Sequence, residues 1–438
     1  MGIFEEKRAA PETIPADPRS RVEIVRRLIK QLEEGRPICA NDLPPVACDS
    51  DESGNPPDPP GFEADANPAA VREYHVGYVH GSGDIQPPEP GDGRWMAMLA
   101  GPRPYEVDPA SVLFLDVEST GLSGGTGTYA FLIGVGWFTA RGLTVEQYFL
   151  KDPAEEAKML EALSRRMKGF TTIVTFNGKC FDWPLLETRF AMNGLPTPVA
   201  DPIHLDLIYP SRRLWGTEIP DCCLPTIERN RLGIERGADV HGWQVPKLYF
   251  RYLSTRDPSV IEPVFKHNRM DVLAVACLLK RVLAVFAMKT PSSPSELMAA
   301  ARYYEGLGLV DEALRFFKKA LSDSAEADER QGQAIWGAVR CYRKLGRYDD
   351  LRDMIRMMHR CGAKSPDAWI EASKYLEHRA GLYSDALEAA KRALALVEEF
   401  PRSPAFKRDL LHRIARLERK SGSGLVDAAG VIPLRPLK

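Results

Sequence analysis

The sequence has no C-x-x-C pair, no apolar run of the roughly 18 residues a membrane helix needs, and no marked excess of either charge. Its eight cysteines are scattered from Cys39 to Cys361, which indicates neither a zinc ribbon nor a disulfide scaffold. Reduced thiols in a cytoplasmic protein are the plain reading. The first twenty residues, MGIFEEKRAAPETIPADPRS, contain no apolar signal core, and Glu6 stands where a myristoylation site wants Ser or Thr. A membrane role is therefore not expected. The formal net charge of -2 gives no overall pull toward polyanions, so a nucleic acid would have to be held by local basic groups or by metal ions. What remains is an ordinary globular composition, 44% hydrophobic and 27% charged, in a chain long enough for two or three domains.

Three zones differ in texture. Residues 1–105 are rich in Pro, Gly and acid, as in DLPPVACDSDESGNPPDPPGFEADANP. Such a stretch buries too little apolar area to offset its ordering entropy and is expected to be largely flexible. Within it, Val22, Ile24, Val25, Leu28, Ile29 and Leu32 fall at helical spacing, predicting a short amphipathic helix over 19–34. YHVGYVHG, Tyr74 to Gly81, reads as an edge strand.

Residues 106–290 follow an α/β pattern. SVLFLDVE is a buried strand ending in acid; TYAFLIGVGWF and LTVEQYFL follow, joined by a hairpin turn over Thr139 to Gly142. Pro153 to Lys168 reads as a helix capped by Asp152. TTIVTFN is a strand, Trp183 to Met192 a helix, and IHLDLIY a further strand. Leu224 to Leu232 looks helical, and Pro258 to Met288 holds one long helix or two.

Residues 294–420 are purely helical and repetitive, with a flexible tail over 421–438. Tyr304, Gly308, Ala313, Phe317 and Ala320 sit at the spacing of a tetratricopeptide unit. Trp336, Tyr342, Gly346 and Leu351 repeat most of it, and Gly381, Ala386, Ala390 and Ala393 repeat it again. Small residues at these positions let helix pairs pack closely and bury one continuous core.

Three short elements carry chemistry. On a strand, Asp116 and Glu118 point to the same face. Two carboxylates about 4 Å apart repel by about 4 kcal/mol at an effective dielectric near 20, an arrangement a divalent cation stabilises. Hard oxygen donors favour magnesium or manganese. In the second element, Phe176-Asn177-Gly178-Lys179-Cys180-Phe181-Asp182, a strand runs into a Gly turn and Asp182 opens a helix whose first turn also holds Pro184. A simple helix cap would need no Asn-Gly turn upstream. In the third, His267 and Asp271 are four apart and share a helix face.

Together these elements resemble the DEDD superfamily of 3′–5′ exonucleases: D-x-E-S-T-G-L, then F-N-G-x-x-F-D-x-P-L-L, then a residue four before the last Asp. The element order, three strands followed by alternating helices and strands, is that of a ribonuclease H-like sheet. HLDLIYPSRRLW, LPTIE, the HN-x-x-D helix and the trailing repeats are similar to the bacterial YprB-like group. The expected fold is thus α/β, a ribonuclease H-like mixed sheet flanked by helices, followed by an all-α tetratricopeptide-like repeat domain. The resemblance implies that Asp116, Glu118, Asp182 and Asp271 hold two Mg2+ or Mn2+ ions. One ion would activate the attacking water and the other would stabilise the leaving 3′ oxygen. It also implies that His267 orients or deprotonates that water. Here the chain departs from the pattern: the Tyr-type subfamily has tyrosine four before the last Asp, the His-type has histidine five before it, and this chain has His267 at the tyrosine spacing.

Asn177 and Lys179 are candidates to contact the scissile strand, and Thr120 and Leu122 to lie against the terminal nucleotide. Arg212, Arg213 and Trp215 form the densest base-plus-aromatic cluster, able to grip phosphate and stack a base, or else a solvated helix start. A milder basic excess continues through Arg229, Arg231, Arg236, Lys247 and Arg251. The glycines of 121–127 lack the Gly-Lys-Ser/Thr ending of a P-loop and read as a turn beside the site. The expectation is a metal-dependent 3′–5′ exonuclease on single-stranded RNA or DNA, with a protein partner on the repeats. The alternatives are a catalytically weak binding scaffold and a structure-selective endonuclease.

Overall fold

The computed structural model describes residues 69–101, 106–121, 127–237, 239–290, 292–322, 329–361, 365–399 and 402–422. The helix expected over 19–34, the tail from 423 and Leu122 lie outside them. The described residues form two compact units: one runs up to Arg212 and takes in Gly216–Ala287, and the other holds Arg213–Trp215 and the chain from Met288.

The first unit is built on a six-stranded mixed sheet. Its strands are β1 (Ala70–His75), β4 (Val112–Ser119), β5 (Ala130–Thr139), β6 (Gly142–Phe149), β7 (Thr172–Thr175) and β8 (Ile203–Asp206), in the order β1-β6-β5-β4-β7-β8. Strands β2 (Val79–His80) and β3 (Gly83–Asp84) form a separate small hairpin. The edge strand therefore starts earlier than YHVGYVHG: Tyr74 and His75 lie on β1, and Val79 and His80 belong to the hairpin. The β5–β6 hairpin closes at Thr139 opposite Gly142, as the turn residues predict. Strands β4, β7 and β8 run parallel, whereas β4–β5 and β5–β6 are antiparallel.

Side chains alternate across the sheet. Leu113, Leu115, Phe131, Ile133 and Val135 face a core shared with α2 (Glu156–Met167), α3 (Asp182–Met192) and α6 (Val245–Thr255), which follow α1 (Gly93–Ala100). Tyr249 of α6, a helix the sequence pattern did not disclose, stacks on Phe131 at 4.1 Å. Between α3 and α6 lie α4 (Ile208–Trp215) and α5 (Leu224–Ile227), the latter continuing into one π-helical turn over Glu228–Leu232. The opposite face of β4, β5 and β6 is covered by a single long helix, α7 (Glu262–Phe286). Gly134 and Gly136 explain how α7 comes so close. A Cβ at Gly134 would stand 2.4 Å from the Asn268 side chain, and one at Gly136 would stand 2.7 Å from Val272. Two glycines two apart on a strand thus receive two residues four apart on a helix.

IHLDLIY is only half strand. Asp206 accepts a bond from the Ile208 N–H at 3.1 Å, and Pro210 fits the first turn of α4, so the chain turns helical at Ile208.

The second unit is helical throughout, from α8 (Pro294–Gly306) through α9 (Val310–Ser322), α10 (Glu329–Lys344), α11 (Tyr348–Cys361), α12 (Pro366–Tyr375) and α13 (Tyr383–Glu399) to α14 (Pro404–Gly422). Tyr304 of α8 and Ala313, Phe317 and Ala320 of α9 are buried, and Gly308, Gly346 and Gly381 all adopt positive φ where one helix hands over to the next. No described helix is long and apolar enough to cross a membrane.

Candidate active site

Strand β4 lies between the antiparallel β5 and the parallel β7, the switch point at which open α/β sheets place ligands. It pairs with β7 only over Val112–Phe114, so Asp116 and Glu118 lie beyond the last β7 pair, on the α7 side of the sheet. A register shift between Glu118 and Ser119 ends the regular ladder there.

Asp182 arrives by the turn after β7. Asn177 takes the left-handed conformation (φ 67°), which Asn tolerates better than most residues. The Asp206 carboxylate accepts bonds from the Asn177 N–H at 2.7 Å and the Lys179 N–H at 3.1 Å, tying the turn to β8. Gly178 is required for its lack of bulk: a Cβ there would lie 2.7 Å from Asp182 Oδ2 and 2.6 Å from Thr175 Cβ. Asp182 is the first residue of α3, and the helix cap is Phe181 with no side-chain bond, so this carboxylate does not serve as a cap.

Helix α7 completes the cluster and adds residues that motif reading missed. Asn268 donates from Nδ2 to Asp116 Oδ2 at 2.8 Å and to the Asp116 carbonyl at 3.1 Å. Gln147 donates to Asn268 Oδ1 at 2.8 Å, which fixes which way the amide points. His267 Nε2 stands 3.8 Å from both Glu118 and Asp271, while its Nδ1 lies 2.9 Å from Asp239. Arg236 enters between them: Nε and Nη2 donate to Glu228 at 2.7 Å each, Nη1 donates to Asp239 at 3.0 Å, and Nη2 also donates to Asp271. Asn268 was legible as the neighbour of His267. Arg236 and Asp239 lie in an irregular segment with no periodicity to mark them.

Burial and mutual repulsion dominate the electrostatics. Burial, then Asp271 and Asp182, hold Asp116 well above the carboxylate range. Burial and Asp116 push Glu118 up to about 8; burial and Glu118 do the same to Asp182. Burial lowers the affinity of His267 for a proton, but its bond to Asp239 with the charges of Asp271 and Glu118 outweighs this and lifts it to about 10. Among the described residues no Lys or Arg pairs with Asp116, Glu118 or Asp182, and no three acids, histidines or cysteines stand together in a geometry ready to hold a metal ion. The donor types suit a hard divalent cation: three buried carboxylates repel one another, and the cation facing them, the His267 imidazolium, stands 3.8 Å from Glu118.

The other sequence candidates fall in different places. Thr120 is buried, and its hydroxyl accepts from the Tyr129 N–H at 2.9 Å, tying the end of β4 to the start of β5. Asn177 and Arg212 line an open cavity of about 820 Å3 with Phe176, Asp221 and Cys222. Lys179 lies 6.0 Å above the Tyr209 ring, and Arg213 stacks at 4.6 Å on Tyr303. Trp215 is fully buried and donates to Glu296 at 2.6 Å, so it offers no face for a base. The basic excess is partly internal as well: Arg236 and Lys247 are largely buried, and Arg231 pairs with Glu218.

The close contact at Gly134 gives a sharp expectation. Gly134→Ala would push on the Asn268 amide and release Asp116 from its brace, a loss of about 10- to 100-fold in metal affinity. Overpacking would also lower stability by about 1–3 kcal/mol. Calorimetric titration with Mn2+ beside a denaturation curve checks both; unchanged Mn2+ affinity would dismiss the brace.

Residues 113–283 match a family model described as RNase H superfamily. Among solved structures, the chain is similar to the family B DNA polymerase from the archaeon Pyrobaculum calidifontis, with 16% identity over 53% of this chain and 28% of that one and a TM-score of 0.32. The protein described as uncharacterized protein YprB of Bacillus subtilis is 31% identical over 321 residues, spanning 72% of this chain and 76% of that protein. On that extent of identity the chain belongs to the YprB family, with its ribonuclease H superfamily domain carried on the mixed sheet described above.

Proposed function

We propose that this protein is a metal-dependent nuclease that hydrolyses single-stranded RNA or DNA from the 3′ end. The observation that carries the reading is the set of buried carboxylates from β4, α3 and α7 on one side of the sheet's switch point. This agrees with the ribonuclease H superfamily match and with the DEDD-like order of the motifs. Asp116, Glu118, Asp182 and Asp271 would hold Mg2+ or Mn2+, two ions in the working enzyme. When bound, the metal supplies Lewis-acid stabilisation of the phosphodiester and a nucleophilic water at neutral pH.

The chain's own groups do the rest. Asn268 fixes the Asp116 carboxylate, and Asp206 holds the turn that presents Asp182. His267, clamped by Asp239, directs Nε2 toward Glu118 and Asp271, where it would orient the attacking water. The cavity shares the Asn177–Gly178 turn with Asp182, and about 820 Å3 is ample for a nucleotide, with Arg212 available to phosphate. Exposed Phe181 and Tyr209 offer faces for bases near the same turn. For the helical unit we propose tetratricopeptide-like repeats over 294–420 that bind a protein partner, and for the whole chain a place in the cytoplasm.

The test uses 5′-labelled single strands, free or blocked at the 3′ end, with Mg2+ or Mn2+. A descending ladder from the free end that EDTA abolishes is expected, with no cleavage of blocked strands. Identical ladders from wild type and Asp116→Ala would refute the catalytic assignment. Internal cleavage of a circular strand would replace it with an endonuclease.

A further inference from the structure

The carboxylates of the cluster are not equivalent. Asp116, Glu118 and Asp182 have no Lys or Arg partner among the described residues, whereas Asp271 is taken by the guanidinium of Arg236. That guanidinium does not reach in from solvent. Its side chain is 9% exposed, and Glu228, itself 1% exposed, grips it from behind through two parallel bonds of 2.7 Å. Asp239 holds a third edge at 3.0 Å. The backbone around it is equally fixed. Gly233 turns the chain in the left-handed conformation (φ 62°), the Ile234 N–H donates to the Glu228 carbonyl at 3.1 Å, and Ile234 is buried. The π-helical turn just before it is pinned to the small β2–β3 hairpin, where the Ser82 N–H and hydroxyl both donate to the Leu232 carbonyl at 2.7 and 2.8 Å.

We propose that Arg236 is a built-in counter-ion for the second cation position: while it holds Asp271, the free protein takes one divalent ion on Asp116, Glu118 and Asp182, and a second enters only when the guanidinium leaves Asp271. This rests on the metal-centre reading above and refines it. A guanidinium already satisfies the carboxylate and repels a dication placed beside it. Glu228 and Asp239 stay bonded to Arg236 when Asp271 is released, so the guanidinium has a place to remain. The strand to be cut, whose phosphates attract Arg236, is then the natural trigger for admitting the second ion. Before substrate arrives, the two-ion centre is held incomplete.

The experiment titrates metal-free full-length protein with Mn2+ alone, by calorimetry and by electron paramagnetic resonance, which distinguishes a single ion from a coupled pair. Wild type is expected to bind one Mn2+ per chain, and Arg236→Gln two, the second at least tenfold tighter than any second event in wild type. Arg236→Lys keeps the cation and should keep the single ion. Because Arg236→Gln leaves Glu228 buried without its partner, the paired variant Arg236→Met/Glu228→Met, which removes both charges, is titrated alongside and should also bind two. Two ions of similar affinity in wild type, or one ion in the variants, overturns the proposal and leaves the metal centre standing. No Mn2+ bound by wild type or any variant overturns both.

Discussion

Asp116→Asn is expected to lower the turnover of single strands by on the order of 10⁴-fold, about 5.5 kcal/mol of transition-state stabilisation. The fall should appear in kcat, with KM changed little, since the cavity walls at Phe176, Asn177 and Arg212 do not include Asp116. The substitution preserves shape and keeps a carbonyl oxygen for the Asn268 Nδ2 donor, now 2.8 Å from the carboxylate. Stability should hold or rise, because Asn replaces an ionisable group whose charged form burial, Asp271 and Asp182 all disfavour. A drop in activity through misfolding would show as a lower thermal midpoint, so the two explanations separate. Turnover within tenfold of wild type, from protein free of contaminating nuclease, would end the assignment of Asp116 as a metal ligand.

Much of this was legible in the residues, for identifiable reasons. Strand β4 could be read because its apolar run ends in alternating acids, and α7 because its apolar residues persist over 25 positions. IHLDLIY misled because a short apolar run fits strand and helix alike, and only Asp206 capping the Ile208 N–H decides where one becomes the other. Trp215 suggested a stacking platform by its arginine neighbours, yet its indole N–H found Glu296, a partner far along the chain. The candidate acids announce themselves by spacing, whereas the contacts that hold those acids in place do not. Asn268 reaches Asp116 across the strand–helix gap that Gly134 opens, and Arg236 reaches Asp271 from an aperiodic loop. The LPTIE motif gains a reason here: its Glu228 is the anchor of that arginine.

The second large effect concerns the frame behind the site. Glu156 opens α2 and Arg189 lies near the end of α3, the helix that begins with Asp182. Both side chains are about 95% buried, and they meet through two bonds, Nε to Oε1 at 2.6 Å and Nη2 to Oε2 at 2.5 Å. Asn193 adds a bond to Glu156 at 2.8 Å, and the Tyr129 ring lies 4.3 Å from the guanidinium. Glu156→Ala strands a buried guanidinium and is expected to destabilise the first unit by about 3–5 kcal/mol, read as a lower urea midpoint. Glu156→Met/Arg189→Met removes both charges and should come back to within about 1–2 kcal/mol of wild type, because the pair gains little over well-packed apolar groups. The pair would then serve chiefly to fix α3 against α2. If so, the double variant, though stable, should lose activity more than its folded fraction explains, since Asp182 rides on the helix that has lost its lock. Full activity in a stable double variant would show that the Gly178 turn and Asp206 position Asp182 without help from Glu156.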